Sequence, residues 1–310
     1  MFFEIFNIVV PVFVLVIIGY CFVKSRLVTD SVIDGLMRFG ILIAIPCLLF
    51  RAAASLDLNT AFEWRPLVAY YAGAVSCFII AILIFQFGFK KRPGESVGIA
   101  FAALFSNLVM LGVPISERAW GLEFMNPNYA LIAVNAPICY LIGITVMEFT
   151  RADGRNGRDT AIVVARTMFK NSFMIGIGLG LLVNISGLQV TKPVDASIEL
   201  LARSAIPVAL FGLGGILTRY SAKKASREAS IISVLALIIH PLIALLACWW
   251  FELSEDLIRS IVLMAAMAPG LNAYLFANMY KRGEAIAAST VIMSTTLSIL
   301  TLSLWLIFLR

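Results

Sequence analysis

Apolar stretches of about 20 residues recur along the chain, each closed by a short polar or charged cluster; an α-helix of that length crosses about 30 Å of hydrocarbon. The pattern predicts helices near 2–23, 34–51, 66–88, 98–116, 129–149, 168–187, 196–218, 229–251, 257–280 and 284–308. Two of these ten carry a fault. In the fourth, Asn107–Pro114 reads NLVMLGVP: Gly112 weakens the helix, and Pro114 lacks a backbone donor and clashes with the preceding turn. The ninth repeats this chemistry in APGLNAYLF, with Pro269 and Gly270 as the break and Asn272 as the polar side chain. Polar backbone at bilayer depth is costly unless it lines a cavity, a protein interface or a substrate path.

Composition narrows the class. The 310 residues are 61% hydrophobic and 14% charged, too little polar surface for a soluble globule of this size. The first apolar segment has no preceding basic residue and no small-residue cleavage signal, so it reads as a retained spanning helix. Cys21, Cys47, Cys77, Cys139 and Cys248 lie in or beside apolar segments without paired spacing, which favours packing over disulfide or metal chemistry. The net charge of +6 resides mostly in alternate loops. Loops after the odd-numbered helices hold sixteen basic residues and the opposite side six, a bias that places the odd loops in the cytoplasm and both termini outside. Membrane orientation accounts for the basic charge without a nucleic-acid partner.

An internal match suggests how the helices are organised. AIPCLLF at Ala44–Phe50 and AIPVALF at Ala205–Phe211 share five of seven residues, and Pro114 and Pro269 form a second pair at a similar offset. The expected fold is therefore an all-α polytopic membrane protein: ten transmembrane helices in two inverted five-helix repeats, with broken crossover helices 4 and 9. Residues 1–150 would form the first repeat, 151–167 a cytoplasmic linker and 168–310 the second repeat. Pro46 and Pro207 read mainly as bends.

Opposed broken helices would present half-helix N-termini, with free N–H groups and partial positive charge, to an anion at mid-membrane. Asn107, Gly112, Pro114, Pro269, Gly270 and Asn272 are the candidate substrate-binding residues. Helix 5 adds Asn135 beside Pro137 as a secondary candidate. All eighteen acidic residues sit in loops, tails or near helix ends, so no midplane carboxylate marks a sodium or proton site; Glu148 and Glu199 are boundary candidates for gates. His240, the sole histidine, is a candidate coupling residue, with a hydrogen bond inside the bundle as its simpler reading. Arg38 and Arg203 fit snorkelling, Gly176, Gly178 and Gly180 close helix approach, and Trp249–Trp250 an interfacial anchor. No GxxxxGK[ST] loop, catalytic set, metal site or cofactor motif is present in the sequence, which argues against an ATP-driven pump and against an enzyme.

These motifs resemble the auxin efflux carrier family, in a bacterial form, within the wider group that includes bile acid:sodium symporters. The resemblance runs over nearly the whole chain: NLVMLGVP matches the family's asparagine and crossover proline, Pro269 the second crossover proline, and Phe276–Ala277 the Phe-Ala that follows it. It implies a homodimeric secondary transporter in the lipid bilayer of the cytoplasmic membrane. The implied action is elevator-type movement of an organic carboxylate, malonate-like or auxin-like, with H+ or Na+ as candidate coupling ions. The chain departs from the plant pattern at Asn272–Ala273 and in its short central loop, so auxin specificity does not follow. An anion channel, and a membrane scaffold or sensor, are the alternative classes; import or export, and uniport or coupling, stay open at this point.

Overall fold

The computed structural model describes residues 2–55, 63–121, 124–151, 162, 172–219 and 226–309, with the side chains of 2–8, 137, 151 and 226 outside that description. The chain folds into helices α1 (Phe2–Lys24), α2 (Asp30–Phe39), α3 (Ile45–Ala54), α4 (Trp64–Leu83), α5 (Pro93–Leu104), α6 (Val113–Trp120) and α7 (Asn126–Arg151). These are followed by α8 (Ser172–Ser186), α9 (Lys192–Leu217), α10 (Ser226–Val234), α11 (His240–Trp250), α12 (Glu255–Ala265), α13 (Leu271–Tyr280) and α14 (Glu284–Phe308). The predicted linker 151–167 lies outside the described residues except for Arg151 and Ile162.

Among the described residues four π-helical turns extend these helices: Gly40–Ala44 joins α2 to α3, Ile84–Gly88 ends α4, Leu108–Gly112 leads into α6, and Leu235–Ile239 joins α10 to α11. Three of them share a cause. Pro46, Pro114 and Pro241 each stand two residues after such a turn. A proline ring clashes with the carbonyl four residues back and offers it no donor. Widening the turn moves the hydrogen bonds to a five-residue step, as in Ile45 N–H to Gly40 O, Val113 N–H to Leu108 O and His240 N–H to Leu235 O, so the helix passes the ring without stopping.

Among the described residues, six helices are long and apolar enough to cross a membrane: Asp30–Ala54, Trp64–Gly88, Asn126–Thr150, Lys192–Leu217, Arg227–Trp250 and Glu284–Phe308. This makes the protein an all-α polytopic membrane protein and corrects the expected ten helices in two inverted five-helix repeats. The predicted helix at 98–116 is divided among α5, the third π-turn and α6, and that at 257–280 between α12 and α13; the α-helical pieces have 8 to 12 residues, at most about 18 Å each. The predicted helix at 2–23 corresponds to α1, whose described side chains give the apolar stretch Val9–Lys24, and the described part of that at 168–187 is Ser172–Ser186. The proline landmarks also differ in backbone: Pro46 follows a π-turn while Pro207 lies inside the unbroken α9, and Pro114 follows a π-turn within a continuing helix while Pro269 is extended. Counting apolar stretches treats an interrupted helix and an intact one alike.

The chain divides into two compact units. One comprises 11–62 and 165–219. In it α8 lies against α3 through Gly176 and Gly180, where an added Cβ would come within 2.5 Å of Pro46 O and 2.4 Å of Phe50 O; Gly178, also expected at a contact, has nothing within 4 Å. At its α2–α9 end, Arg219 donates to the carboxylates of Asp30 and Asp34 at 3.2 and 2.7 Å, which holds its pKa above the ordinary arginine value.

The other unit comprises 1–10, 63–164 and 220–310 and contains both chain breaks. Basic residues gather at one end of it. Lys91 pairs with Glu95 at 3.0 Å, Arg227 stacks over Phe89, and the backbone of Arg282 closes on Gly98 in the first turns of α5. The opposite end carries the Trp64–Phe251 ring contact and the Arg259 Nε bond to Leu309 O at 2.9 Å. Trp249 and Trp250 lie toward that end and are exposed, consistent with an interfacial anchor.

Candidate functional site

Helices α5 and α12 approach from opposite ends of this unit and both stop in its middle, at Leu104 and Ala265. The chain then runs extended for a few residues, and the two extended pieces pair antiparallel, Ser106 opposite Pro269. Asn107 N–H donates to Ala268 O at 2.9 Å. Pairing satisfies part of the backbone that each break exposes, the requirement for any irregular segment at bilayer depth. Pro269 suits this place because an extended edge tolerates a residue without a donor.

Beyond the pairing, the helices resume. Asn107 caps the third π-turn: its Oδ1 accepts from Met110 N–H at 3.2 Å, and its carbonyl accepts from Leu111 and Gly112. Gly270 is the N-cap of α13 and supplies no side-chain cap, and Ala273 N–H donates to its carbonyl at 3.1 Å. A Cβ on Gly270 would lie 3.1 Å from Asn107 Cγ, so the glycine is what lets the Asn107 carboxamide rest on the start of α13. Gly112 performs a similar task against α12, where a Cβ would come within 2.6 Å of Met264 Sδ. Asn107, Gly270, Pro269 and Gly112 thus meet at one place, with Pro114 in the first turn of α6.

Asn272 and Asn135 belong to the surrounding wall. Asn272, in the first turn of α13, faces Tyr140 of α7, whose hydroxyl stands 3.5 Å from its Oδ1. Asn135, buried one turn earlier on α7, has its Oδ1 3.4 Å from both the Tyr71 hydroxyl and the Cys139 thiol. The Pro137 side chain lies outside the described residues. Phe101, Phe105 and Phe276 enclose the Tyr140 ring, with Phe101 and Phe276 stacked at 3.8 Å. The sequence reading singled out none of the tyrosines. The signal available was their type, since a hydroxyl inside an apolar stretch seeks a polar partner.

His240 stands apart from the paired breaks in its hydrogen bonding. It is fully buried at the start of α11, its Nε2 lies 3.3 Å from Tyr70 O, its ring meets the Tyr70 ring edge-on at 4.9 Å, and its Nδ1 has no protein partner. Cys77, Cys139 and Cys248 are buried and all five cysteines are free. Among the described residues, no group of three or more His, Cys, Asp or Glu is placed to hold a metal ion.

Bilayer-length helices together with a buried pair of chain breaks make this a polytopic membrane protein with irregular backbone enclosed among its helices. The sequence comparisons agree: the chain belongs to the membrane transport protein family, whose pattern matches residues 4–148 and 155–306. It is a polytopic membrane transporter. Among its relatives, a putative malonate transporter of Rhizobium meliloti is 22% identical over 307 residues, 97% of this chain and 94% of the relative. An uncharacterized transporter of Methanothermobacter thermautotrophicus is 26% identical over 303 residues, 96% of each chain. A third, an uncharacterized transporter of Methanocaldococcus jannaschii, is 22% identical over 316 residues, covering 96% of this chain and 97% of the relative.

Proposed function

We propose that this transporter carries a small organic carboxylate across the cytoplasmic membrane by an elevator-type alternating-access movement. The observation that carries the reading is the Asn107–Ala268 pairing, which brings the start of α13 and the Asn107 carboxamide to one buried point. N–H groups at a helix start attract an anion, and together with asparagine donors they hold it without a buried lysine or arginine. Asn107, Gly112, Pro114, Pro269, Gly270 and Asn272 form the substrate site in this reading, with Asn135 on its wall. The name of the Rhizobium relative, a putative malonate transporter, supports a small carboxylate as the cargo.

The division of the chain supports the elevator motion, because one unit holds both breaks and the other holds neither. In this reading the unit with the breaks moves with the cargo. Its basic end, with Lys90, Lys91, Arg92, Arg227, Lys281 and Arg282, faces the cytoplasm, and the Arg259–Leu309 end faces outward and takes the C-terminus with it. The assembly proposed, from the resemblance, is a homodimer.

Uptake of radiolabelled malonate and indole-3-acetate into proteoliposomes, with imposed pH and sodium gradients, tests the proposal. Saturable uptake with counterflow supports a carboxylate carrier, and the gradients identify the coupling ion. Sustained conductance without saturation would identify a channel instead, and no flux of either probe would overturn the reading.

A further inference from the structure

A carboxamide has an oxygen edge that accepts and a nitrogen edge that donates two N–H groups, and whichever edge the protein engages decides what the other presents to a ligand. In the unit with the breaks, three asparagines share one arrangement. Asn107 Oδ1 is engaged by Met110 N–H, a group that can only donate. Asn135 Oδ1 is met by the Tyr71 hydroxyl and the Cys139 thiol, and Asn272 Oδ1 by the Tyr140 hydroxyl. Each oxygen is taken by the protein, which leaves the nitrogen edges as the ones available to cargo.

We infer that Tyr140 is a positioning residue that fixes the Asn272 carboxamide with its nitrogen edge toward the cargo, and so makes the site select groups that only accept hydrogen bonds. The inference rests on the carboxylate-binding reading above. A carboxylate is acceptor-only, whereas the amide of equal shape carries N–H groups that would meet N–H groups here. The Tyr140 ring is itself held: Phe101 and Phe105 lie 5.6 and 5.8 Å away between centroids and Phe276 6.3 Å. Its hydroxyl therefore has a defined position from which to hold the oxygen of Asn272. Without that hydroxyl the carboxamide is free to turn over and offer its oxygen.

The test uses Tyr140→Phe, Asn272→Ala and the double variant in proteoliposomes, with radiolabelled malonate as cargo and unlabelled malonamide as the neutral competitor of the same shape. Tyr140→Phe keeps the ring in its aromatic surroundings and removes only the hydroxyl. The expected result is an apparent KM for malonate raised about tenfold with maximal rate within twofold, and a malonamide-to-malonate selectivity ratio shifted about tenfold toward malonamide. In the Asn272→Ala background, Tyr140→Phe should add nothing, since it acts through Asn272. If Asn272→Ala weakens uptake but Tyr140→Phe leaves selectivity unchanged, or its effect adds fully to that of Asn272→Ala, the positioning role is overturned while the substrate site stands. If Asn272→Ala itself changes neither KM nor selectivity, the assignment of Asn272 to the site falls, and the inference with it.

Discussion

Asn107 and Gly270 touch across the two breaks: a Cβ at position 270 would stand 3.1 Å from Cγ of the Asn107 carboxamide and 3.2 Å from its Cβ. The contact joins the cap of one half-helix to the N-cap of another, so a change at either residue is felt at both.

Gly270→Ala is the smallest change that disturbs this contact. The new methyl displaces the Asn107 side chain by a few tenths of an ångström, and a misplaced binding group weakens transport steeply. Uptake kinetics should show roughly a tenfold loss in the ratio of maximal rate to KM, whereas Gly178→Ala, at a position with nothing within 4 Å, leaves uptake unchanged.

Asn107→Asp separates the cap from the cargo contact. Aspartate is as good a helix cap as asparagine, so its oxygen still accepts from Met110 N–H and the thermal midpoint should stay within a few degrees. The nitrogen donors are gone and a negative charge faces the anion, so malonate uptake should fall on the order of 100-fold. Full stability with full uptake would remove Asn107 from the site.

His240→Phe asks whether the histidine titrates during transport. Phenylalanine keeps the edge-on contact with Tyr70 and loses the 3.3 Å bond to Tyr70 O, which costs about 1 kcal/mol of stability. The pH profile of uptake should overlay that of the wild type. A profile that loses its dependence on pH would assign the proton coupling to His240.

Gly180→Val addresses the unit without the breaks. Phe50 O and Ala53 Cβ would stand 2.4 and 2.8 Å from the new Cβ, both on α3, and helices in lipid gain their stability from such close packing. The thermal midpoint in detergent should drop by several degrees, while Gly178→Val on the same helix should not move it.

The second break was legible because its cause is local: Pro269 and Gly270 stand in the interruption itself. In the first, Asn107 marks the restart of the helix, whereas Gly112 and Pro114 lie beyond it in a turn that widens and continues. Close approach was expected at Gly176, Gly178 and Gly180 alike; the first and third meet α3, while Gly178, half a turn round the helix, meets nothing within 4 Å. Chain-wide counting was less secure: α5–α6 and α12–α13 have the summed apolar length of a spanning helix without being one, which accounts for two of the ten expected helices that are absent from the six of bilayer length among the described residues. The repeat failed as a guide where matched prolines carry different backbones, Pro46 after a π-turn and Pro207 inside α9. The tyrosines escaped notice because their partners are remote: Tyr140 and Asn272 are 132 residues apart, and Tyr71 and Asn135 are 64.

The central claim is that cargo binds at the paired breaks and that this point opens to each side of the membrane in turn. Ser106, 2% exposed and bridged to Pro269, reports on it directly. A single cysteine at Ser106, in a transport-active chain whose five native cysteines are alanine, would be treated with a membrane-impermeant maleimide from one side and then the other. The account predicts slow labelling from both faces, suppressed by saturating malonate. Labelling from one face alone, no labelling from either, or labelling that malonate leaves untouched would contradict it.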